Sequence, residues 1–96
     1  MTEAESVEAI AILNAIGADE PADLVGEGWR DTYAGNVTWT FRGWTIVVFN
    51  DCMDWDYIDT IVATDGRRWE FEEMSDPVKF WHPTSTAGWP TLEMSP

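Results

Sequence analysis

The sequence predicts an α+β domain, a four-stranded antiparallel meander covered on one face by an N-terminal helix. Three observations point there. Apolar residues recur at helical spacing between Glu3 and Ile16, the apolar period changes to two from Asn36 onward, and the tight-turn dipeptides Arg42-Gly43 and Asp65-Gly66 punctuate the alternating part.

The helix is expected over 3–16. Val7, Ile10, Ala11 and Leu13 to Ile16 supply its apolar positions, Glu3, Glu5 and Glu8 sit near its start where the helix dipole favours anions, and Gly17 is a stop signal. The stretch from Asp19 to Gly26 reads as a short second helical turn, capped by Asp19 or Glu20, with Pro21 in its first turn. An antiparallel sheet is expected over 36–73. Val37, Trp39 and Phe41 alternate with Thr38 and Thr40, and Arg42-Gly43 turns the chain into the run Trp44 to Phe49. A polar loop from Asn50 to Asp56 leads to a third strand around Tyr57 to Thr64, and Asp65-Gly66 turns into a fourth, Arg67 to Glu72. Residues 75–96 hold four of the five prolines and little periodicity, so an irregular tail is expected, with Trp81 and Trp89 pinning parts of it to the domain.

A chain of 96 residues has room for one core, so 1–96 reads as a single domain. Its 45% apolar residues and seven tryptophans distinguish it from a disordered acidic tail. Trp39, Trp44 and Trp69 fall at strand positions and belong to the core, whereas Trp55, Trp81 and Trp89 sit in loop-like contexts, so one or two of these three are expected as exposed anchors for a partner. Eighteen acidic residues against five lysines and arginines give a formal net charge of −13. That charge repels nucleic acid and anionic membranes, so the expected partner is a basic protein surface. Cys52 is the single cysteine, which rules out an internal disulfide and suits a reducing bacterial cytoplasm; it reads as a buried, inert residue at a strand end. Met1 to Glu8 carries no lysine or arginine, and the longest apolar run falls well short of a membrane span, so neither a signal peptide nor an anchor is expected.

No catalytic apparatus is evident, and no cofactor is called for. His82 stands between Trp81 and Pro83 without a visible partner for acid–base work. Asp51, Asp54, Asp56 and Asp59 put four carboxylates into nine residues, but Ile58 and Asp59 break the alternation and glycine that a calcium loop requires. They suit a solvated acidic hairpin end, with a metal-dependent enzyme centre as the rarer reading. A second group comprises Glu70, Glu72, Glu73 and Asp76. If the fourth strand continues, Glu70 and Glu72 share its solvent face about 7 Å apart, close to the phosphate spacing of DNA, and Trp69 and Phe71 share the other. The two acidic groups together with Trp55 form the expected partner-binding surface.

The run Gly43 to Cys52, followed by Asp56-Tyr57-Ile58-Asp59 and by Ala63-Thr64-Asp65-Gly66-Arg67, resembles a family of small proteobacterial proteins of unknown function, common in pseudomonads. The likeness covers roughly residues 26 to 73, implies no catalytic residues, and does not extend to the shorter irregular tail. At the level of class, an acidic domain under 100 residues also resembles phage-encoded anti-CRISPR proteins, which block the DNA-binding surface of a CRISPR effector complex. That likeness implies an inhibitor whose carboxylates occupy a cationic channel. An immunity protein or antitoxin capping a basic nuclease follows the same logic.

Overall fold

A computed structural model describes residues 1–26, 28–29, 34–52 and 54–92. Helix α1 spans Glu3–Ala15 and five strands follow: β1 Asp23–Val25, β2 Ala34–Phe41, β3 Trp44–Asp51, β4 Asp54–Val62 and β5 Arg68–Glu70. A 3-10 turn, Phe71–Glu73, and a one-turn helix α2, Asp76–Lys79, complete the elements. The strands lie side by side in chain order, each antiparallel to the next. The sheet therefore has five strands rather than four.

The additional strand is β1, in the segment read as a helical turn. Leu24 pairs with Trp39 and faces the core, while Asp23 and Val25 remain exposed. Alternation over three residues was enough for this edge to join the sheet. Both edge strands are only three residues long, which leaves little unpaired backbone for another chain to extend.

Helix α1 begins on a capping box. Thr2 Oγ1 accepts from the Glu5 amide at 3.1 Å and the Glu5 carboxylate accepts from the Thr2 amide at 2.8 Å. Its buried stripe is Ser6, Ala9 and Leu13, not the stripe expected from Val7, which is 66% exposed. Small residues let α1 approach α2, and the Ser6 and Ser75 hydroxyls meet at 2.7 Å. Gly17 follows the helix with φ 86°, the left-handed conformation that a glycine supplies without steric cost.

The Arg42-Gly43 turn forms as expected, with positive φ at both residues, 49° and 80°, between the paired Phe41 and Trp44. The polar loop expected from Asn50 to Asp56 contracts to a tight turn, because Asp51 and Asp54 are already paired across β3 and β4. Cys52 in this turn is exposed with φ 52°, which corrects the expectation of a buried cysteine; Met53 lies outside the described residues.

Strand β4 carries two register shifts. Val47 pairs with Thr60 but Val48 with Ile58, and Phe49 pairs with Tyr57 but Asn50 with Trp55. Asp59 and Asp56 are thus the extra residues of two bulges. The bulges bring Trp55, Ile58 and Ile61, which strict alternation could not align, onto one buried face.

That face meets a tryptophan cluster. Trp39 stacks on Trp55 at 6.3 Å, and Trp89 meets both edge-on at 5.0 and 5.1 Å. Trp55 is 8% exposed and Trp89 2%, so of the three loop-context tryptophans these two are core residues rather than exposed anchors. Trp81 is partly covered, and its Nε1 donates to Asn14 Oδ1 at 3.0 Å. The tail is pinned as expected through Trp81 and Trp89, with Ala22 N donating to Gly88 O at 2.8 Å. Positions 93–96 of the expected tail lie outside the described residues. Among the described residues, no helix is long and apolar enough to cross a membrane.

Candidate functional site

The expected acidic surface divides into parts. Asp51 and Asp54 face one another at the exposed β3–β4 turn. Asp56 is exposed in the nearer bulge, and Asp59, in the farther one, accepts from Thr60 Oγ1 at 2.8 Å. Glu73 Oε1 accepts from the Glu70 amide at 3.1 Å, and Glu73 O accepts from the terminal amine of Met1 at 3.1 Å. Asp76 opens α2. Trp55 leaves the expected site altogether, because the bulge turns it into the core.

Asp59, Glu70 and Glu72 are the residues that come together. With Tyr57 and Phe71 they line an open concavity of about 280 Å³. The strand expected to run through Glu72 stops at Glu70, and the 3-10 turn then rotates successive side chains by roughly 120° instead of alternating them. Trp69 consequently stays in the core against Trp44, at 6.4 Å, while Phe71 swings to Tyr57, at 4.9 Å. The phosphate-like spacing of a Glu70–Glu72 strand row is lost with that rotation. What replaces it is a carboxylate group beside two aromatic rings.

Phe49 extends the ring pair, stacking on Tyr57 at 5.3 Å. Lys79 Nζ lies 5.3 Å from the Phe71 centroid, and Arg68 reaches Glu70 at 3.5 Å. The rings had a signal in the sequence: Phe49 and Val47 share the parity opposite to Ile46 and Val48. Tyr57 and Phe71 were hidden by the bulge and the 3-10 turn.

Two arginines are engaged away from this site. Arg42 pairs with Asp19 at 2.8 Å and Glu20 at 3.2 Å. Arg67 holds Asp65 at 2.8 Å and Glu5 and Glu8 at 3.2 Å each, with its guanidinium over the Trp69 ring at 5.4 Å. The Thr2 amide, helped by Arg67, keeps the Glu5 carboxyl below its ordinary pKa, and Arg67 does the same for Asp65. The Asp65 carboxylate foremost raises the pKa of Arg67, as the Asp19 carboxylate does for Arg42. Among the described residues, Asp51, Asp56, Asp59, Glu72 and Asp76 form no ion pair. Nor do three histidine, cysteine or acidic side chains among them gather as a ligand set for a metal ion.

A second concavity of about 230 Å³ lies between the end of α1 and the tail, with Leu13, Ile16, Trp81 and Trp89 in its wall and no charged side chain among the described residues. His82 is exposed beside Trp55 at 5.8 Å, and its Nδ1 lies 3.1 Å from Pro83 O.

No curated protein and no solved structure matches the chain. A family model does, over residues 6–83, which reaches from within α1 through the whole sheet to the start of the tail and so exceeds the stretch on which the sequence resemblance rests. The chain therefore belongs to the family described as domain of unknown function DUF7693.

Proposed function

We propose that this domain binds a basic partner protein by setting carboxylates against a cationic surface of the kind that otherwise holds nucleic acid. The observation that carries the reading is a set of carboxylates sharing one open concavity. Arg42 and Arg67 are committed to Asp19, Glu20, Glu5, Glu8 and Asp65, whereas Asp59 and Glu72 form no ion pair among the described residues and line that concavity with Glu70, which Arg68 reaches at 3.5 Å. With a net charge of −13, long-range attraction steers a cationic partner and repels nucleic acid.

Two kinds of basic site fit. One is the nucleic-acid channel of a CRISPR effector complex, which makes the domain an inhibitor of that complex. The other is the active site of a nuclease, which makes it an immunity protein or antitoxin. Both place the domain in the bacterial cytoplasm, and neither requires it to catalyse a reaction.

The test is affinity capture from bacterial lysate at low and high salt, comparing the native domain with a D59K/E70K/E72K variant. The expected result is a set of basic nucleic-acid-binding proteins that salt elutes and the variant fails to retain. An effector subunit in that set supports the inhibitor reading, and a nuclease supports the immunity reading. Retention of the same proteins by both baits would contradict binding through these carboxylates.

A further inference from the structure

The two faces of the sheet differ in burial. Residues paired across neighbouring strands share a face. The face of Trp39, Ile46 and Ile58 meets Ala9, Leu13, Val78 and Trp89 in one buried cluster. The opposite face carries Thr38, Thr45, Val47, Phe49 and Tyr57, all partly exposed, with Thr60 buried beside Val47 and Phe71 of the 3-10 turn packed on Tyr57. Its apolar part is a ladder of rings, Phe49 to Tyr57 to Phe71, ending at Asp59, Glu70 and Glu72.

We propose that this open face docks an arginine-presenting segment of the basic partner, with one guanidinium received against Tyr57 and Phe71 among Asp59, Glu70 and Glu72. The inference rests on the reading above and specifies its surface and the chemistry recognised there. Charge complementarity selects the occupant. At a net charge of −13, a second copy of the chain and a nucleic acid are both repelled from the face, although aromatic ladders on open sheets otherwise suit bases.

The juxtaposition of rings and carboxylates selects arginine among cations. A guanidinium is planar, so it lies flat on an aromatic ring while its edge donates two parallel hydrogen bonds to a carboxylate. A lysine ammonium is a point charge, more strongly hydrated, and satisfies one of these demands at a time. The chain's own cations already mark the polarity of the site. Lys79 lies over Phe71 at 5.3 Å and Arg68, itself exposed, stands 3.5 Å from Glu70, so the groups a partner arginine displaces are solvent-screened surface contacts.

The experiment is fluorescence anisotropy with labelled arginine-rich and lysine-rich peptides of equal length and charge, at low salt. The native domain should bind the arginine peptide roughly tenfold more tightly. The charge-neutral double substitution Tyr57→Thr, Phe71→Gln should abolish that preference while salt-sensitive lysine-peptide binding persists. Val7→Ser, on the exposed face of α1, should change neither. Lys79→Gln, which uncovers Phe71 without touching the core, should tighten arginine-peptide binding severalfold and provides an independent readout if the double variant does not fold.

Equal affinity for the two peptides, or unchanged preference in the double variant or in Lys79→Gln, would overturn the ring-and-carboxylate site and leave the acidic reading standing. Failure of the native domain to bind either peptide would overturn both. Tight binding of an oligothymidylate would overturn the charge argument itself.

Discussion

Gly88 shows how a single hydrogen atom in place of a side chain ties the tail to the helix. A Cβ at this position would collide with the Gly17 nitrogen and come to 2.5 Å from the Gly17 Cα, both backbone atoms that cannot swing away. Gly88→Ala must therefore push the tail off α1 and loosen Trp89 from the cluster, and the expected loss is about 2–4 kcal/mol by urea denaturation. The capping box makes a smaller prediction of the same type. Thr2→Ala removes an acceptor for the Glu5 amide and should cost about 1 kcal/mol in the same measurement. At the binding face, Tyr57→Thr should cost on the order of 1 kcal/mol, because it gives up the ring contacts with Phe49 and Phe71 while keeping a good strand former.

Among the elements, the turn from Ala63 to Arg67 and the start of α1 are joined by Arg67, which holds Glu5, Glu8 and Asp65 together. Glu5 and Asp65 have depressed pKa values in the folded chain, so their contribution is complete above the ordinary carboxylate range near about 4 and disappears as pH falls through the lower folded values. Arg67→Gln should lower the melting temperature at neutral pH, and its gap from the native chain should close between about pH 4 and pH 2; a constant gap would contradict the ion-pair account. The elements that could be read from the sequence are those with a local signal. Helix α1 announces itself by spacing and Gly17, and the hairpin by alternation about Arg42-Gly43. The bulges at Asp56 and Asp59 have no such signal, because period-two reasoning has no place for an extra residue. They decide that Trp55 is core and that Asp59 opens toward Tyr57. β1 has no such signal either, because three residues after Pro21 carry too little pattern to outweigh a helix-like cap, and its pairing with β2 decides its conformation. The carboxylates of the site could be listed from the sequence, but their company of rings depends on the 3-10 turn at Phe71.

For the molecule as a whole, like charge opposes folding and selects partners. Raising NaCl from about 0.05 to 0.5 M should screen the carboxylates and raise the melting temperature by on the order of a few degrees; a flat or falling curve would mean that self-repulsion is not a significant cost. The same screening should weaken association with a cationic partner, so stability and binding should respond to salt in opposite directions. The most direct measurement is a backbone amide chemical-shift titration of the domain with an arginine-rich peptide. Shifts should concentrate at Phe49, Tyr57, Asp59 and Glu70 to Glu72, with α1 and the Arg67 cluster unaffected. Shifts spread evenly over the surface, or centred on α1, would contradict binding at this face.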